Sequence, residues 1–252
     1  MKQGKAGHLY RFFGRPGDPH HWEIDEDERH HLRKVLRLPE GATVEVMDGE
    51  GRLVRGSISF PGTARVLVRV GHEHRASPPQ QCLALALGAL KPADTDALLP
   101  ALVELGLDEI HLFYQAGTER HRIHPRAVAR RQAIVRSAVK QCKRLWLPRV
   151  EQHDSLQALL DGPGAVAAGQ GWSRFLLSPD ASPTLLDQPS GGPGMLTLAG
   201  GERGLTPDEE EQLLGAGFVR VSLGPHVLRS RTAAVAAATL MATLRMQRPS
   251  GG

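Results

Sequence analysis

The sequence predicts a small β domain followed by a larger α/β domain, and three observations carry that reading. Residues 8–75 show short stretches of alternating apolar and polar residues broken by turn residues. At Cys82 the texture changes to a continuous apolar run, LALALGAL, as a strand buried on both faces requires. From there onward strand-like and helix-like runs alternate, the pattern of an α/β domain.

The elements follow in order. EDERHHLRKVLRL reads as a short helix with Leu32, Val35 and Leu36 on one face. GATVEVMDGEGRLVRGSISF alternates around Asp48-Gly49, the signal of a hairpin, and Val66–Val70 continues the sheet. SPPQQ at 77–81 reads as a linker. After the apolar strand, residues 94–105 fit a helix stopped by Gly106, and Glu109–Tyr114 a second strand. Residues 125–146 fit one long helix with Val128, Val135, Val139, Cys142 and Trp146 on its apolar stripe. Residues 161–194 hold seven glycines and five prolines and read as loop around one strand at Arg174–Leu177. Further strands are expected at Met195–Ala199 and Phe218–Leu223, and the Ala-rich TAAVAAATLMATLRM as the last helix.

Composition narrows the function classes. With 40% hydrophobic and 23% charged residues the chain is globular, and its two cysteines are too few for a disulfide scaffold. The apolar stretch Thr232–Leu244 is 13 residues long, short of the roughly 20 that span a bilayer. MKQGKAGHLYRFF has no apolar centre of signal-peptide type, so a cytoplasmic setting is expected. The net charge of +4 hides an asymmetry: residues 119–149 carry ten basic groups against Glu119 alone, net +9. Such a block suits a polyanionic partner. The pairs His20-His21, His30-His31 and His72/His74 lack zinc-ligand spacing, so no metal is expected. No G-x-S-x-G elbow is present for a serine hydrolase.

Two segments have the character of ligand loops. Leu198-Ala199-Gly200-Gly201-Glu202-Arg203-Gly204-Leu205-Thr206 runs from strand through glycines to a helix start. Thr206 is its N-cap, Pro207 sits at the first helical position and Glu209 completes a capping box. The glycines permit close backbone approach by a ligand, although a tight turn into a capped helix accounts for them equally well. The spacing fits neither dinucleotide nor P-loop fingerprints. Leu223-Gly224-Pro225-His226-Val227-Leu228-Arg229 is a second strand–loop–helix passage, with Ser230 or Thr232 available as cap. Two such loops, after neighbouring strands, converge where α/β folds bind ligands.

The motifs occur in an order that resembles the RsmE family, bacterial 16S ribosomal RNA uridine-N3 methyltransferases of the SPOUT class. His31-Leu32, Val35-Leu36-Arg37, Gly41 and Asp48-Gly49 match H-L-x-x-V-L-R…G…D-G. Lys91 and Glu104-Leu105-Gly106 match K…E-L-G, and Ala138, Gln141, Arg144 and Pro148 match A-x-E-Q-x-x-R-x-x-x-P. Gly200, Glu202, Gly204 and Thr206 match part of G-P-E-G-G-[FL]-[TS]; Leu223-Gly224-Pro225 and Val227-Leu228-Arg229 match L-G-x-x-[IV]-L-R. The resemblance covers about residues 8–246.

It implies a PUA-like RNA-binding β-barrel domain at 1–76 and a SPOUT trefoil-knotted α/β methyltransferase domain at 82–247. It also implies a homodimer, S-adenosylmethionine as cofactor, and 16S ribosomal RNA or the small ribosomal subunit as partner. Cofactor contacts then fall to Leu198, Gly200, Gly201, Glu202, Gly204, Leu223, Gly224, His226, Val227 and Leu228. RNA contacts fall to Arg126, Arg130, Lys140, Gln141 and Arg144. Of the two catalytic candidates, Arg229 stabilises developing charge or holds its loop, and Glu202 acts as base, orients a donor or caps amides. Four positions depart from the family: Gly201 replaces its proline, Arg203 a glycine, Arg231 the glutamate of L-R-x-E-T-A, and Lys140 the glutamate of E-Q. Arg203 and Arg231 leave two alternatives standing: a relative that binds RNA without methylating it, and a SPOUT enzyme of other RNA specificity.

Overall fold

A computed structural model describes residues 9–62, 64–115, 125–189 and 191–247. Contacts divide the chain into two units, Met1–Pro78 with Val139–Leu147, and Pro79–Ala138 with Pro148–Gly252.

The first unit is a closed five-stranded barrel of order β1-β2-β5-β4-β3. Its strands are β1 (Arg11–Asp18), β2 (His21–Ile24), β3 (Thr43–Met47), β4 (Arg52–Ser59) and β5 (Leu67–Arg75). A parallel pairing of β1 with β3 closes it. Alternation does what the sequence pattern demands: Phe12, Trp22, Val44, Val46, Val54 and Val68 point inward and are buried. At the β3–β4 turn Asp48 Oδ1 accepts from the Glu50 and Arg52 amides at 2.7 and 3.0 Å. Gly49 holds φ +81°, the left-handed conformation that glycine takes without cost. Between β2 and β3, the α-helix α1 (Glu26–His30) runs into a π-helical segment, His31–Leu36. That wider turn corrects the expected apolar face: Leu32 is fully buried, whereas Val35 is rotated out and 62% exposed.

The second unit is a six-stranded parallel sheet of order β11-β9-β10-β6-β7-β8. Its strands are β6 (Cys82–Gly88), β7 (Glu109–Phe113), β8 (Arg149–His153), β9 (Ser173–Leu177), β10 (Gly194–Ala199) and β11 (Val219–Val221). Its helices are α2 (Pro92–Glu104), α3 (Pro125–Cys142, whose last four residues group with the barrel), α4 (Leu156–Leu159), α5 (Ala165–Gly169), α6 (Pro207–Gly215) and α7 (Ser230–Met246). β6 is buried from Leu83 to Gly88, as its unbroken apolar run predicts. Ala84, Ala86, Leu196 and Leu198 share a core with Leu156, Leu159, Ala167 and Leu213 from α4, α5 and α6. α7 packs on β6 and β10 beside α2, burying Ala234, Ala237, Ala238 and Met241. Its end is tied down by Arg245, which donates to Asp108 at 2.7 Å and to the Gly106 carbonyl at 2.9 Å.

Several expectations need correcting. The long helix stops at Cys142, because Lys143 takes the left-handed conformation at φ +62°. Trp146 therefore lies outside it, bridging to Glu50, and Val128 is 43% exposed. The segment from 161 to 194 is more ordered than its glycines and prolines suggest, with a π turn at Leu160–Gly164, α5, and a 3-10 turn at Leu185–Asp187. β8 was not foreseen, since RVEQH has no apolar run to announce it.

Candidate functional site

Loops at the C-terminal ends of β6, β9, β10 and β11 border one open groove of about 1490 Å³. Small-ligand pockets span about 300–1,000 Å³, so there is room for part of a second molecule. The two glycine loops do not follow neighbouring strands, as the sequence reading had it, because β9 lies between β10 and β11. They meet instead through specific hydrogen bonds.

The loop after β10 is a turn closed by the Gly204 amide donating to the Gly201 carbonyl at 3.1 Å. Ser230, at the start of α7, donates its hydroxyl to that same carbonyl at 2.7 Å. Ser230 is thus a clasp between the loops and not a helix cap; the N-cap is Arg229, without a side-chain cap bond. From the end of β7, buried Gln115 accepts from the Gly201 amide at 2.7 Å and donates to the Gly204 carbonyl at 2.6 Å. A proline at 201 has no N–H to give Gln115, so the departure to glycine belongs to this hydrogen bond. A Cβ there would also lie 2.5 Å from Gln115 Oε1. The capping box forms as the sequence predicts: Thr206 Oγ1 accepts from the Glu209 amide at 3.2 Å, and Glu209 Oε2 from the Thr206 amide at 2.9 Å.

Glu202 and Arg203 occupy the turn's tip, both exposed. Position 203 is not among those with positive φ, so an arginine replaces the family glycine there without backbone strain. Gly204 and Gly224 do hold positive φ, +73° and +142°, with open space where a Cβ would point. Gly200, Leu223, His226, Val227, Leu228 and Arg229 line the groove with them. His226 and Arg229 are exposed, and Val227 is 81% exposed. Leu198 is a correction: strand alternation turns its side chain into the core, fully buried, and it does not line the groove. The charge reversal at 231 is balanced locally, since Arg231 Nη1 lies 2.7 Å from Asp94 Oδ1 on α2.

The basic helix is less uniform than its composition. Arg126 and Gln141 are exposed and Arg144 half-buried. Arg130 is ion-paired with Asp96. Lys140 is a correction: its ammonium lies 2.6 and 2.9 Å from the two carboxylate oxygens of buried Glu28, so it serves the barrel unit and is not a phosphate contact. Sequence reasoning missed Gln115, Ser230's clasp and Asp94. The one available signal was Gln115's place just past a predicted strand, where parallel sheets set their site residues.

Residues 77–242 match the RNA methyltransferase domain family, and residues 24–70 the RNA methyltransferase PUA domain family. The chain is 31% identical to the ribosomal RNA small subunit methyltransferase E of Mycobacterium bovis, over 85% of this chain and 83% of that protein. The chain belongs to the ribosomal RNA small subunit methyltransferase E family. A second methyltransferase E, from Synechocystis, is 32% identical over 81% of this chain and 67% of that protein. The methyltransferase E of Neisseria gonorrhoeae, solved with S-adenosylmethionine bound, superposes with a TM-score of 0.81 at 26% identity, covering 94% and 98% of the two chains. The methyltransferase E fold bears out the expected SPOUT α/β domain with a PUA-like barrel. Among the described residues no helix is long and apolar enough to cross a membrane.

Proposed function

We propose that the chain transfers the methyl group of S-adenosylmethionine to N3 of a uridine in 16S ribosomal RNA, residues 1–76 docking the RNA and residues 82–247 performing the transfer. The observation that carries this is the knitting of the loops after β7, β10 and the start of α7 around one groove by Gln115 and Ser230. The residues present fit the cofactor: Gly204 and Gly224 leave bare backbone facing open space, which is what recognition by main-chain groups needs. When bound, S-adenosylmethionine supplies an electrophilic methyl on a sulfonium, and transfer is an in-line displacement that needs no metal.

The chain's own residues then have two tasks. Backbone groups of Gly200, Gly204, Leu223, Gly224 and Leu228 would hold the cofactor, beside Val227 in the same groove. The acceptor N3 carries a proton and lies on the base-pairing edge, so the uridine enters unpaired. As that proton leaves, negative charge spreads to the flanking carbonyl oxygens, and exposed Arg229, which lines the groove, would stabilise it. Glu202, at the turn's tip, is the carboxylate for the proton. Arg126, Arg130, Gln141 and Arg144 hold RNA backbone. The alternative of RNA binding without transfer rested on Arg203 and Arg231, and the turn geometry and Asp94 accommodate both. A homodimer rests on the resemblance, and a cytoplasmic setting is supported by the relatives named for ribosomal RNA methylation; sedimentation and cell fractionation check them.

Transfer of tritiated methyl to small-subunit RNA and to assembled subunits, with the modified base mapped, tests the reading. Label at uridine N3 supports it, lost in Arg229→Ala and reduced in Glu202→Gln. Cofactor binding without label on either substrate overturns it.

A further inference from the structure

None of the four residues Glu109, His111, Glu151 and His153 lines the groove. They belong to β7 and to the sheet's edge strand β8, and strand alternation sets them on one face. The parallel register puts His111 opposite Glu151 and Phe113 opposite His153. On the other side of His111 stands only Ala86, which leaves room for the imidazole. His111 is 1% exposed, and its Nε2 lies 3.1 Å from Glu109 Oε2. An ionised carboxylate only accepts, so Nε2 carries the hydrogen and Nδ1 presents its lone pair on the opposite edge of the ring.

That lone pair has two neighbours. His153 Nε2 is 3.2 Å away and Glu151 Oε2 3.7 Å, and these two are themselves 4.0 Å apart. A triangle with those sides has a centre about 2.1 Å from each of its corners, the length of zinc–nitrogen and zinc–oxygen bonds. A hydrogen bond between the two imidazoles accounts for one of these approaches; Glu151 Oε1 lies 3.7 Å from Arg149 Nε, which leaves Oε2 towards the two rings.

We infer that His111 Nδ1, His153 Nε2 and Glu151 bind one divalent ion of the zinc class, with Glu109 holding His111 in the ligating tautomer. Two imidazoles and one carboxylate select late transition ions over calcium and magnesium. The carboxylate–histidine–metal relay through Glu109 is a recurring partner arrangement of such sites. Glu151 is 41% exposed, so water reaches the fourth position. The ion fastens the edge strand to its neighbour. Local spacing could not announce the site, because its ligands come from strands forty residues apart in the chain.

The test uses the full, tag-free chain, dialysed against a chelator and titrated with zinc chloride by calorimetry, then with cobalt(II) for its visible spectrum. The expected result is one equivalent per chain, a four-coordinate cobalt spectrum and a raised melting temperature. His153→Gln and Glu151→Gln should bind at least tenfold more weakly, and Glu109→Gln roughly 10–100-fold more weakly. His72→Gln/His74→Gln, an exposed pair on β5, should leave binding unchanged. Should His153→Gln fail to fold, Glu151→Gln, on a half-exposed side chain, carries the comparison. Absence of zinc uptake by the wild-type chain, or uptake lost in the His72/His74 variant and kept in Glu151→Gln, overturns the site.

Discussion

Replacing Gln115 by leucine removes both hydrogen bonds that shape the turn after β10 while keeping apolar bulk in the same place. Gly201 is buried, so its amide loses its 2.7 Å acceptor in a dry setting; an orphaned buried donor costs about 1–3 kcal/mol. Gly204 is exposed, and water can replace the 2.6 Å bond to its carbonyl at little cost. The loss therefore sits near 1–3 kcal/mol, divided between fold and ligand. If it falls wholly on the loop, affinity for S-adenosylmethionine drops roughly 5–150-fold; if wholly on stability, each kcal/mol lowers the melting temperature by roughly 2–4 °C. Calorimetric titration with S-adenosylmethionine and a thermal melt of the same sample read both shares. Gly88→Ala should reproduce the effect, since a Cβ there would stand 2.3 Å from both Gln115 Oε1 and the Gly201 nitrogen. Wild-type affinity and wild-type melting in Gln115→Leu together would refute the claim that this side chain organises the site.

Lys140→Ala leaves Glu28, with its carboxylate 7% exposed, without its cation and should destabilise the barrel unit by about 3 kcal/mol. The pair Glu28→Gln/Lys140→Met should recover most of that in chemical denaturation. Arg231→Glu sets a carboxylate beside Asp94; both partners are substantially exposed, so melting should shift by less than about 1 kcal/mol, and Asp94→Arg should reverse it. Arg126→Ala should weaken RNA binding evenly across sequences and lower the slope of log affinity against log salt by about 1, as filter binding at several salt concentrations would record. His153's folded pKa lies below the ordinary 6.5, so the unfolded chain takes up this proton first. Stability should fall as pH drops from above 6.5 towards the folded value, and His153→Gln should flatten that part of the curve in pH-dependent melts.

What the sequence made legible was whatever is decided locally. The Thr206–Glu209 box needs only four residues, and the burial of β6 needs only its own apolar run. The glycine loops were visible as glycines, but not what they bond to, because Gln115 and Ser230 reach Gly201 from 86 and 29 residues away. Composition misled at Lys140: charge reads as surface until a buried Glu28 more than a hundred residues earlier claims it. Position within a strand misled at Leu198, where the motif gave the neighbourhood and alternation decided that the side chain faces inward. β8 stayed hidden because an edge strand with Glu151, Gln152 and His153 carries no hydrophobic pattern.

The membership of Val139–Leu147 in the barrel unit has a consequence for synthesis on the ribosome. The strands of that unit are complete by Arg75, yet the Leu145 carbonyl that accepts from Gly51, the Leu147 amide that donates to Gly49, and the lysine that neutralises Glu28 all come later. At roughly 5–20 residues per second of elongation, the barrel waits several seconds with an uncompensated carboxylate and a bare turn. An N-terminal fragment cut at the 77–81 linker would stay in that unfinished state permanently, so the two halves of this chain are not separable modules even though the sequence reads as if they were.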